Sequence, residues 1–217
     1  VTLEADGSGR LTFAMTMREA TIAEVRRASA AAHLGAAPDP TAVFERSKAE
    51  KELADAGLVL GDYRSLTTAG VRKVELAATF ADFAALQKNP LAGSQAQWVL
   101  AKGPEAATAK LTFYPQGRDA WLEARAKAEK LASEVDPVAS EFFRKRQQQL
   151  AGLDIVFRLV VPGDVFLWTK NMDKTGDREV TARIRAEDIK TPEDLVRRLA
   201  PRFEVIFDAT GCKLPVE

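Results

Sequence analysis

The residues able to do chemistry are few and scattered. The chain has one histidine, His33, and one cysteine, Cys212. Serine or cysteine nucleophiles activated by imidazole need that ring beside the nucleophile. His33 falls at the end of a predicted Ala-rich helix, where an imidazole is favoured by the negative end of the helix dipole. Cys212 lies in Thr210-Gly-Cys-Lys-Leu-Pro215, and Lys213 beside it could lower the thiol pKa; an ordinary tail residue fits the same sequence. A single cysteine excludes an internal disulfide, and one His with one Cys excludes the His/Cys zinc clusters. Paired carboxylates could still serve acid–base chemistry. Glu75, Asp154 and Asp164, in strand or strand-end contexts, are the candidates, whereas the other acids fall on solvent faces or in helix first turns.

Asn171-Met-Asp173-Lys-Thr-Gly176-Asp177 places oxygen ligands at alternate positions before a glycine, as calcium loops do. The acid expected six positions after the glycine is Ala182, so no metal is expected and a hairpin loop explains the segment. Asp6-Gly7-Ser8-Gly9 lies between two strands rather than between a strand and a helix, which makes it a turn and not a phosphate cradle. Phe143, Arg144, Lys145 and Arg146 form the densest basic-aromatic cluster and a candidate interaction face. The competing reading is the wet side of an amphipathic helix, with Glu134, Asp136 and Glu141 diluting its field.

The elements that would carry these groups alternate between strands and helices. Val1–Ala5 and Arg10–Met17, with Leu11, Phe13, Met15 and Met17 on one face, predict a hairpin. A helix follows from Thr21, and Asp39-Pro40 opens a second, with Val43, Phe44, Ser47 and Leu53 inward. Two strands, Leu58–Leu66 and Val71–Phe80, and a short helix over Ala81–Lys88 complete a first half at residues 1–93. The order then recurs over 94–217: a hairpin around Gly103-Pro104, a helical region from Arg118 to Leu150, strands Leu153–Val161 and Val165–Thr169, a strand at Arg178–Ala186, a short helix opened by Thr191-Pro192, and a last strand at Phe203–Phe207. In the helical region Trp121, Ala124, Ala128, Leu131, Val135, Val138 and Phe142 keep one helical phase through Pro137, which predicts one long kinked helix or a tight helix pair. Leu11-Thr-Phe13 matches Leu111-Thr-Phe113, and Ala56-Gly-Leu58 matches Ala151-Gly-Leu153. The expected fold is therefore α+β, with antiparallel sheets packed by helices, built from two repeats or as one continuous domain.

Composition narrows the partners. Lys+Arg and Asp+Glu each total 31 of 217 residues, and the balance holds in both halves. Nucleic-acid and membrane-surface binders cluster positive charge, so neither is expected. With 46% hydrophobic and 29% charged residues the chain is not of disordered composition. The sequence opens directly in strand-like residues, as a chain whose N-terminal segment has been removed, or trimmed, would.

Tyr63, Gly70 and Phe80-Ala-Asp-Phe-Ala-Ala-Leu86 resemble a segment of the LppM-like bacterial envelope lipoproteins. Phe157–Val161, Pro162-Gly163-Asp164-Val165, Asn171 and the strand Arg178–Ile184 resemble that family's strand–Pro-Gly–loop–strand pattern, and the opening hairpin fits. The chain differs in its longer helical pair over residues 19–56 and in having no C-terminal transmembrane anchor. The resemblance implies a non-enzymatic binding or interaction domain of the cell envelope, periplasmic or on the surface. It would be lipid-anchored through a cysteine preceding Val1 that follows a signal peptide, with a protein or lipid partner and no cofactor. In the lipid variant Leu153–Val161 and Ala109–Phe113 line an apolar groove closed by the long helix. The alternatives are a structural subunit of an envelope assembly and a carboxylate- or metal-dependent hydrolase.

Overall fold

The computed structural model describes residues 1–31, 41–133, 137–150 and 152–215. The protein is a mixed α+β structure of two compact units, Val1–Ser94 and Gln95–Glu217.

The first unit is an antiparallel sheet of β1 (Thr2–Leu3), β2 (Gly9–Arg18), β3 (Leu58–Thr68) and β4 (Val71–Phe80) in the order β3-β4-β2-β1. Register follows from the alternating side chains. Leu11 pairs with Ala78, Phe13 with Leu76 and Met15 with Val74, and Leu58 pairs with Phe80, so one face is continuously apolar. Helix α1 (Glu19–Ala31) contributes Ile22 to the core. A 3-10 turn at Ala42–Phe44 and α2 (Arg46–Asp55) add Val43, Phe44, Ala49 and Leu53, all buried. The expected Asp39-Pro40 helix opening and His33 lie outside the described residues. Tyr63 donates its hydroxyl to the Val43 carbonyl, fixing the 3-10 turn to β3. Helix α3 (Phe83–Gln87) starts on Asp82, whose carboxylate accepts the Ala85 amide, and buries Phe83 and Leu86.

The second unit packs two sheets. One has the order β5-β6-β11-β8, from β5 (Gln97–Lys102), β6 (Thr108–Tyr114), β11 (Phe203–Asp208) and β8 (Val165–Trp168). The other has β7 (Asp154–Val160), β10 (Glu179–Arg185) and β9 (Asp173–Gly176), in the order β7-β10-β9. Between them Trp98 stacks on Phe113 at 4.1 Å, Phe113 on Phe157 at 5.2 Å and Phe157 on Phe203 at 5.0 Å. These rings fill the space that the sequence left as an apolar groove between β7 and β6. Ala109 and Leu111 are fully buried, so that groove is a solid core.

The long helical region is two helices, α4 (Arg118–Ser133) and α5 (Pro137–Gln149). Proline occupies the first position of α5, where its missing N–H costs nothing, and the buried stripe of α5 is not that of α4 continued. Phe143, expected on the exposed face, is buried, while Phe142, expected inward, is 49% exposed. Helix α6 (Pro192–Leu199) has the capping box of Thr191 and Asp194 and buries Leu195.

Each unit contains a four-stranded sheet with one connectivity: a hairpin, then the unit's last strand beside the hairpin's second strand, then an earlier strand at the edge. By order of elements, Leu153–Val161 with its continuation Val165–Thr169, and then Arg178–Ala186, would match β3 and β4, whereas in the sheet β11 holds the place of β4 and β8 that of β3. Between β7 and β8 the chain crosses from one sheet to the other at Pro162-Gly163. A Cβ on Gly163 would lie 1.9 Å from the Asp208 carbonyl oxygen, so only glycine lets the backbone cross β11 so closely. The glycines of the two Ala-Gly-Leu matches, Gly57 and Gly152, each precede a strand and both have φ of 82°.

Phe113→Ala removes the ring that touches three others, and urea denaturation should show a loss of about 3–5 kcal/mol. In the β3–β4 turn Ala69 holds a φ of 50°, a left-handed conformation costing a non-glycine residue about 1 kcal/mol. Ala69→Gly should therefore stabilise the fold by up to about that amount, measured the same way.

Candidate functional site

The carboxylates singled out in the sequence are each paired with a cation of their own. Glu75 meets Lys73 at 2.5 Å, Asp164 meets Arg178 at 3.5 Å, and Asp154 accepts two bonds from Arg183. Asn171 donates its amide to the Arg202 carbonyl, and Thr175 donates to Glu179 in the β9–β10 hairpin. The segment Asn171, Asp173, Asp177 is thus built as a hairpin. Among the described residues no three His, Cys, Asp or Glu side chains are grouped to hold a metal ion. Burial pushes the Cys212 thiol up, with the Asp208 carboxylate acting in the same direction, opposite to the expected influence of Lys213. On α5, Arg144 and Lys145 are exposed and Lys145 pairs with Glu141 at 3.0 Å; the Arg146 side chain lies outside the described set.

A concavity of about 870 Å³ lies in the second unit, lined by residues that no sequence pattern brought together. One wall is α4, with Trp121, Ala124 and Arg125; the other is α6, with Asp194, Arg197 and Arg198. Its floor is Leu167 and Trp168 of β8 and Glu204 and Ile206 of β11, and the turn after β8 adds Lys170 and Asn171. Strand alternation sets this up: Phe113 points into the aromatic core while Tyr114 points to the other face of the sheet. The Tyr114 ring packs against Trp121 with centroids 5.7 Å apart. The Arg202 guanidinium lies 4.7 Å from the Trp121 centroid and Arg125 lies 6.0 Å away, placing two cations on one indole. Leu167, opposite Ile206 on the groove face, is 60% exposed, so the floor has an apolar surface open to solvent.

Five cations line the groove against three carboxylates. Asp194 is spent on the α6 cap, accepting the Lys190 and Thr191 amides. Glu129 holds Arg125 at 2.9 Å, and Glu204 accepts the Thr112 hydroxyl at 3.1 Å. Arg197 is held by Glu193 at 2.9 Å from one turn away. Arg198 is half-buried and makes one long bond, 3.5 Å, to the Arg183 carbonyl. This arrangement can hold an anionic group beside an apolar one.

The outer face of β7 and β10 carries diagonal ion pairs, Arg183 with Asp154 and Arg158 with Glu179, and Arg185 reaches Asp188 beyond the strand end. Guanidinium hydrogen bonds are the first cause holding Asp154, Glu179 and Asp188 below the ordinary carboxylate range. A carboxylate depressed in the folded state contributes stability above its unfolded pKa and loses it as the pH falls. The melting temperature should therefore drop between about pH 5 and about pH 3. The Asp154→Asn, Glu179→Gln double variant should show a shallower decline by scanning calorimetry.

No family model matches the sequence, and no curated protein matches it. Among solved structures the chain is similar to the NMR structure of the folded domain of the Mycobacterium tuberculosis LppM protein, at 13% identity and a TM-score of 0.33. The match covers 71% of this chain and 66% of that one, so the chain spans just under two thirds of that relative's length.

Proposed function

We propose that this protein is a non-enzymatic binding domain of the bacterial cell envelope and that the groove between α4 and α6 is its binding site. The observation that carries the reading is the distribution of charge in that groove. Its carboxylates are committed to a helix cap, an ion pair and a threonine hydroxyl, while its cations surround an exposed apolar floor. Groups tied in this way orient a bound anion and leave no acid poised beside a second acid to move a proton. The envelope location rests on the strand and turn motifs around Tyr63, Gly70, Phe80 and Pro162-Gly163 that resemble the LppM-like lipoproteins.

Two measurements test this. Fractionation of cells expressing the native gene should recover the protein with the envelope; recovery in the cytosol sinks the location. Intrinsic tryptophan fluorescence reports on the groove through Trp121 and Trp168. It should shift on titration with at least one acidic probe, poly-L-glutamate or phosphatidylglycerol vesicles, and the shift should fall with added salt. A spectrum unmoved by both probes sinks the assignment of the site.

A further inference from the structure

We infer that the groove takes an acidic, aromatic-bearing segment of a partner protein, with Lys170 and Arg198 as the residues that pair with its carboxylates. The inference rests on the binding reading above and names the occupant. Three of the five groove cations are already engaged: Arg125 with Glu129, Arg197 with Glu193, and Arg202 over the Trp121 ring and 3.8 Å from Glu204. Among the described residues Lys170 and Arg198 have no carboxylate within ion-pair distance. Arg198 is nonetheless half-buried, with five donors and one bond of 3.5 Å. A guanidinium partly removed from water and left under-bonded is completed by a carboxylate from outside. The apolar part is open surface, with Leu167 60% exposed beside Ile206 across the strand pair, rather than an enclosed channel. A tryptophan- and arginine-rich apolar centre with a charged rim is the anatomy of a protein interface, and the cationic excess makes its complement an acidic polypeptide.

The test titrates the full chain with three probes: a random glutamate–tyrosine copolymer, poly-L-glutamate and phosphatidylglycerol vesicles, each read by tryptophan fluorescence. The copolymer should bind tightest. The Lys170→Gln, Arg198→Gln double variant should weaken it about tenfold or more, the loss of charge-assisted bonds. Arg10→Gln with Lys51→Gln removes the same charge from the first unit and should change it less than about twofold. Binding to vesicles alone overturns the protein partner and leaves the binding site standing. Copolymer binding that the double variant retains overturns the roles of Lys170 and Arg198. Indifference to all three probes overturns this inference together with the function on which it rests.

Discussion

Strand β6 turns successive residues to opposite faces, and two neighbours on it hold the second unit together. Phe113 enters the aromatic stack that joins the two sheets, and Tyr114 points the other way to meet Trp121. A slip of one residue would exchange the two rings, opening the core and releasing α4 from the sheet. The register with β11, Phe203 opposite Phe113 and Val205 opposite Leu111, prevents this by placing apolar side chains on the inner face along the whole strand. Stability and the shape of the groove therefore depend on the same alternation. A change that loosens the stack should be felt at the groove wall.

The two units reach the same sheet connectivity with different means of covering it. In the first, the 3-10 turn, α2 and Ile22 of α1 close the apolar face. In the second, a further sheet takes that role through Phe157, Leu159, Val180 and Ala182, and the helices stand at the other face. Leaving part of that other face open is what creates the groove. The strand that crosses at Gly163 makes both arrangements compatible, since β7 contributes to one sheet and β8 to the other within a few residues.

Much of the architecture was legible because it is written in local chemistry. Alternation marked β2, the Gly103-Pro104 turn marked the hairpin that holds β6, and the Thr191-Pro192 start marked α6, where both bonds of the capping box form. The α+β class followed from the order of elements. What failed was phase and partnership. The helix pair was among the readings, but the apolar stripe was carried through Pro137 in one phase, which placed Phe142 inward and Phe143 outward, the reverse of their burial. Strand β9 was read as loop because Asp173, Lys174, Thr175 and Gly176 are all exposed and carry no apolar face.

The groove was illegible for a different reason. Its residues come from α4, α6, the turn after β8 and β11, more than 80 positions apart at the extremes, and the motifs that include Asp194 and Asn171 describe a helix cap and a hairpin rather than a groove. The basic cluster that did draw notice, Arg144 to Arg146, is contiguous along one helix, where alternating charges are the ordinary way to stay wet. A binding surface is set by which charges remain unanswered after folding, and that depends on pairing across the fold. Arg197 and Arg198 are adjacent in sequence, yet Glu193 answers the first from one helical turn away while the second makes one long bond to the Arg183 carbonyl. One residue of helical rotation separates a structural ion pair from a guanidinium with bonding capacity to spare.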